Sequence, residues 1–175
     1  GKYMMAISDG MGKGRKAYEE SSITIDILEK MMDSKIDEEI VIDTINNILM
    51  LKSSDEMFST LDLGIVDLNK GILNTIKMGA CSTYIKRSNG DIDLISTASL
   101  PVGILSDVNI ERDTRKIKDG DYIIMVSDGI IDAGKNKNLG DNWLLYFLKN
   151  MDTSNPKDIS KEILKKVEDI QNNNI

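Results

Sequence analysis

A chain of 175 residues with 22 basic and 29 acidic side chains, net charge −7, is long enough to bury one core without disulfide or metal staples, and its charge argues against a nucleic-acid phosphate backbone as partner. It contains no histidine, which removes Ser-His-Asp and Cys-His catalysis and histidine zinc sites together. Its single cysteine, Cys81, leaves no intrachain disulfide framework and suits a reducing compartment; no stretch is long and apolar enough to cross a bilayer, and the start lacks a signal-peptide layout.

The chain opens on a short apolar run, Met4-Met5-Ala6-Ile7, that leads into Ser8-Asp9-Gly10. The run reads as a strand buried on both faces, ending in a carboxylate. Three alternating glycines follow in Asp9-Gly10-Met11-Gly12-Lys13-Gly14, and glycine lets backbone groups approach a ligand closely. This loop is neither a Walker sequence nor a GxGxxG fingerprint, which disfavours nucleotide binding. Lys13, Arg15 and Lys16 suit phosphate attraction and solvated surface equally well.

Residues 17–35 place Ile23, Ile27 and Met31 on one helical stripe, with Leu28 and Met32 beside it. Asp37 caps a second helix with Glu38 and Glu39 in its first turn; Val41, Ile45, Ile48 and Leu49 form its buried face, and Ser53-Ser54-Asp55 closes it. From Ser59 the period changes to two. Strands are predicted from Ser59, at 72–78, at 82–87 and at 91–96, with Asn69-Lys70-Gly71 and Ser88-Asn89-Gly90 as turns, so that 59–97 reads as one antiparallel meander. Leu100-Pro101-Val102-Gly103-Ile104 is a loop, and 108–117 another strand.

The run Tyr122-Ile123-Ile124-Met125-Val126 then reaches a second Ser-Asp-Gly, Ser127-Asp128-Gly129. Residues 134–140 read as a polar, mobile segment, Asn142 opens a short helix containing Trp143, and Pro156 starts a last helix to about residue 169 with Ile159, Ile163 and Val167 buried. The layout is α+β, with helices on the outer faces of mainly antiparallel sheet in a single domain.

Asp-Gly alone is ordinary turn chemistry. If the two strand ends meet, however, Asp9, Asp128 and a backbone carbonyl form an all-oxygen site for magnesium or manganese. A metal-activated water could then attack phosphorus in line, a chemistry that needs no histidine. Asp62, Asp132 and Asp141 read as turn or surface acids, Asp132 being nearest to a ligand role.

Ile7-Ser8-Asp9-Gly10-Met11-Gly12-Lys13-Gly14 joined with Val126-Ser127-Asp128-Gly129-Ile130 resembles the metal-dependent PPM serine/threonine phosphatases. More narrowly, Ile36-Asp37-Glu38-Glu39, Thr44-Ile45-Asn46, Ser59-Thr60-Leu61-Asp62-Leu63, Tyr84-Ile85-Lys86-Arg87 and Leu100-Pro101-Val102-Gly103-Ile104 resemble the branch of that family that acts in sporulation. The resemblance implies a β-sandwich flanked by helices and a manganese- or magnesium-dependent phosphatase. Its implied substrate is the phosphoserine of an anti-anti-sigma factor, whose dephosphorylation releases a sporulation sigma factor. By motif, Asp9 would bridge two metals, Gly10 would offer its carbonyl to one and Asp128 would hold the other. The helix pair at 17–52 would be the regulatory element carrying partner or homodimer contacts to the site.

The family usually has a further aspartate on an earlier strand and an Asp-Asp or Asp-Asn pair on a late one. The domain is therefore expected to be incomplete at both ends, with its terminal strands truncated, and the fragment weakly active or inactive. A membrane anchor upstream of a cytoplasmic fragment is also implied. The alternative function is a catalytically silent module that docks partners through the helix pair.

Overall fold

The computed structural model describes residues 1–12, 14–51, 58–106, 109–153 and 155–172. Lys13, the predicted helix stop at 53–55 and the start of the strand predicted from Val108 lie outside the described residues. The chain divides into two compact units, Gly1–Ala80 with Ser96–Ile117 and Cys81–Ile95 with Lys118–Ile175.

In the first unit, β1 (Lys2–Ile7), β2 (Leu61–Asp67), β3 (Ile72–Met78) and β6 (Arg112–Lys116) form an antiparallel sheet in the order β1-β2-β3-β6. Two helices, α1 (Arg15–Asp33) and α2 (Glu38–Leu51), cover one face of it. Period-two alternation sends Leu61, Leu63 and Ile65 of β2, with Ile76 and Met78 of β3, to that face. There they pack on Leu28, Val41, Ile42, Ile45 and Leu49. Burying such side chains removes apolar area worth roughly 1.5–3 kcal/mol each from water. Asp37 caps α2 as predicted, accepting the Glu39 N–H at 2.9 Å.

The opposite face of β2 and β3 carries Asp62 and Lys77, cross-strand partners in register. Lys77 Nζ lies 2.5 Å from Asp62 Oδ2 and both are buried. Asp62 is therefore neither a turn nor a surface acid: an acid in the middle of an alternating strand is tolerated in the interior because a lysine neutralises it there. β1 is also corrected. It is an edge strand with Lys2, Tyr3 and Met4 exposed, so it is not buried on both faces.

In the second unit, β4 (Thr83–Lys86) is the central strand of a three-stranded antiparallel sheet, between β5 (Ile92–Ile95) and β7 (Tyr122–Ile124). The predicted meander over 59–97 is thus two separate pairings. The chain leaves one sheet after Met78 and enters the other at Thr83. Gly79 makes this exit: its φ is +62° and a Cβ there would stand 2.4 Å from the Pro101 ring. The β4–β5 hairpin turns at Asn89-Gly90 as predicted, although only Gly90 takes positive φ.

Three helices complete this unit: α3 (Asp128–Lys135), α4 (Trp143–Lys149) and α5 (Pro156–Gln171). Their core holds Ile131, Trp143, Leu144, Leu148, Ile159, Ile163 and Val167 with Tyr84 and Ile124. The buried Lys86 points its ammonium at the C-terminal end of α4, donating to the carbonyls of Leu148 and Met151 at 2.6 Å each. No helix among the described residues is long and apolar enough to cross a membrane.

Candidate functional site

Asp9 and Gly10 follow β1 directly and are held by the segment just before β2. Ser8 Oγ donates to the Thr60 carbonyl at 2.7 Å, and the Asp9 N–H donates to Thr60 Oγ1 at 2.9 Å. The Thr60 N–H donates to the Asp9 carbonyl at 2.8 Å and the Met11 N–H to the Phe58 carbonyl at 3.2 Å. These two backbone bonds flank the Gly10–Ser59 bridge, so the N–H and C=O of Gly10 itself point away from Ser59. The carbonyl of Gly10 is thus not spent on this ladder. A Cβ at Gly10 would lie 2.0 Å from the Ala17 carbonyl oxygen, so the start of α1 seats directly on the glycine. Gly12 and Gly14 serve a different need, with φ of +93° and +83°.

The face that α1 turns inward is Ala17, Glu20, Thr24 and Leu28; Ile23, Ile27 and Met31 of the predicted stripe are only half-buried. That face is partly polar because it meets backbone. Glu20, 1% exposed, accepts the Met11 N–H at 3.1 Å, and Thr24 Oγ1 lies 2.7 Å from Ser59 Oγ. Sequence reasoning passed over both residues, since a polar side chain in a helix reads as the wet side. The only available signal was the helical spacing 17, 20, 24, 28.

Asp128 belongs to the second unit. It is the exposed first residue of α3, with Ser127 as N-cap, so the helix dipole favours its negative charge. The strand predicted to run to this acid stops at Ile124, and a helix takes over at Asp128 itself. Asp132 on the same helix is exposed, as is Asp141, which pairs with Lys135 at 3.2 Å. Arg15 is an exposed partner of Glu19 at 2.7 Å.

Each unit carries oxygen donors of its own: the Asp9 carboxylate and the Gly10 carbonyl in the first, the Asp128 carboxylate in the second. That chemistry fits a hard divalent cation such as magnesium or manganese, and the Gly10 carbonyl is left unused by the Ser59 ladder. Among the described residues, no group of three or more Cys, Asp or Glu side chains is gathered closely enough to hold a metal alone.

Comparison with solved structures places this fold among the PP2C-type phosphatase domains. It superposes on the PP2C phosphatase domain and regulatory fragment of the cell fate determinant SpoIIE from Bacillus subtilis with a TM-score of 0.87 and 40% identity, covering 97% of this chain and 50% of that one. The family model for stage II sporulation protein E (SpoIIE) matches residues 1–175, and the chain belongs to that family. It is 40% identical over 166 residues to stage II sporulation protein E of Bacillus subtilis (strain 168), covering 95% of this chain and 20% of that protein. It is 37% identical over 167 residues to the protein of the same name from Priestia megaterium, covering 95% and 28%. The chain thus spans 20% and 28% of the length of these two relatives.

Proposed function

We propose that this chain is part of a metal-dependent phosphoprotein phosphatase that hydrolyses phosphoserine on a phosphorylated anti-anti-sigma factor during sporulation, in the cytoplasm. The observation that carries the reading is the 40% identity to a PP2C phosphatase domain at a TM-score of 0.87, with Asp9-Gly10 held on a built backbone ladder.

In this reading Asp9, the Gly10 carbonyl and Asp128 hold manganese or magnesium. The bound ions supply charge neutralisation at the phosphoryl oxygens and activation of the attacking water. The chain's own contribution is placement. The ladder to Phe58 and Thr60 fixes Asp9, Ala17 fixes Gly10, and α3 presents Asp128 at its positive end. Two carboxylates and one carbonyl are few donors for ions that prefer about six oxygens, so binding by this chain is weak and turnover slow.

The test is manganese-dependent release of phosphate from a phosphoserine protein, with the D128N variant beside the unsubstituted chain. Release that requires manganese and is lost in D128N supports the proposal. A sporulation output that survives D128N in the full-length protein would favour a docking module instead.

A further inference from the structure

Asn46 lies in the middle of α2 and is 1% exposed. An amide buried so completely has to satisfy both ends, and beside a 3.7 Å contact from its Nδ2 to Met50 Sδ on the same helix its two short bonds go to one loop. Its Oδ1 accepts the Gly103 N–H at 2.7 Å and its Nδ2 donates to the Leu105 carbonyl at 2.8 Å. The next residue back, Val102, exchanges both backbone hydrogen bonds with Ser59, at 3.0 and 3.1 Å. Ser59 in turn is the bridge partner of Gly10, flanked by the bonds from the Met11 N–H to the Phe58 carbonyl and from the Thr60 N–H to the Asp9 carbonyl. Three short segments therefore lie side by side, the Asp9–Met11 loop, Phe58–Thr60 and Val102, and Asn46 pins the outer one to α2.

We propose that Asn46 is a positioning residue for the Asp9-Gly10 loop, acting through the 102–105 loop and the Phe58–Thr60 segment. This rests on the phosphatase reading only for its consequence at the metal; the clamp itself is a claim about the fold. The amide supplies an acceptor and a donor at once. Aspartate keeps the acceptor for Gly103 but sets a carboxylate oxygen against the Leu105 carbonyl, and alanine removes both bonds. The middle segment has its own tie to α1 through Thr24, so loss of the clamp loosens the ladder without dissolving it.

The experiment is amide hydrogen exchange on the full chain and on its N46A and N46D variants, followed by manganese titration of the same samples. The expected result in N46A is exchange faster by about tenfold or more at Gly103, Val102, Ser59, Thr60 and Met11, with Leu63 and Ile76 of the sheet unchanged. N46D should fall between N46A and the parent. Where the parent binds manganese, half-saturation should need several-fold more metal in N46A. Acceleration confined to Gly103 and its neighbours, or spread equally to Leu63 and Ile76, would overturn the clamp. If N46A does not fold, N46D decides on the same amides. A parent that takes up no manganese would defeat the phosphatase reading while the exchange data still judge Asn46.

Discussion

A Cβ built on Gly10 would stand 2.0 Å from the carbonyl oxygen of Ala17. The loop that follows β1 and the first turn of α1 are therefore in backbone contact at the residue whose carbonyl is proposed to face the metal. Gly10→Ala forces α1 to shift or Gly10 to leave the Ser59 ladder. Because both sides of the clash are backbone, no rotamer change relieves it. The loss should reach about 3 kcal/mol, the upper end of the usual overpacking range, read as a lower urea midpoint at unchanged slope. Gly12→Ala meets open space and is strained by its positive φ alone, so it should cost less.

Lys77 and Asp62 form a buried ion pair on the face of the first sheet turned away from α1 and α2. Lys77→Met leaves the Asp62 carboxylate in the interior without its ammonium and should destabilise by about 3–5 kcal/mol. The double variant Asp62→Leu/Lys77→Met removes both charges and should recover much of that loss. Equilibrium unfolding of the two variants checks the order. A double variant no better than the single one would show that the pair is needed for more than mutual neutralisation.

Asp121 supplies an acid-sensitive part of the second unit. Burial pushes its carboxyl up, but hydrogen bonds from the Arg87 guanidinium and from the Lys118 and Ser88 N–H groups outweigh this and hold it below its ordinary value of 3.8. Arg87 is raised in turn by its hydrogen bonds to Asp93 first and then Asp121, against the lowering effect of burial. A carboxylate depressed in the folded state gives stability that is fully present above its unfolded pKa and is lost as pH falls through the folded one. Asp121→Asn should flatten the stability–pH curve below about pH 4 and leave the neutral-to-alkaline limb unchanged in shape. Urea titrations at closely spaced acid pH values measure this.

Much of the fold is legible in residue order because local patterns and tertiary burial agree. β3 falls on Ile72–Met78, directly after the Asn69-Lys70-Gly71 turn as predicted, and Asp37 and Pro156 mark helix starts. The misreadings occur where a distant residue overrides the local signal. Gly134 reads as part of a mobile segment, yet it sits inside α3, where the indole of Trp143 leaves no space for a Cβ and donates to the Ile131 carbonyl at 3.0 Å. The four residues between Met78 and Thr83 look like a hairpin link, and nothing local announces that β3 pairs with β6 and β4 with β7. At the candidate site the acids and glycines stand out. Glu20 and Asn46 do not, because their partners are peptide groups, and sequence does not mark a peptide group as needing one.

The proposed function requires Asp9 and Asp128 to act as ligands to a divalent cation. Calorimetric titration of manganese into the full chain and into its D9N and D128N variants tests this directly, with circular dichroism confirming that each is folded. The prediction is measurable binding by the unsubstituted chain, weakened about tenfold or more, some 1.4 kcal/mol, by either substitution. Manganese uptake that is the same in all three proteins would contradict it.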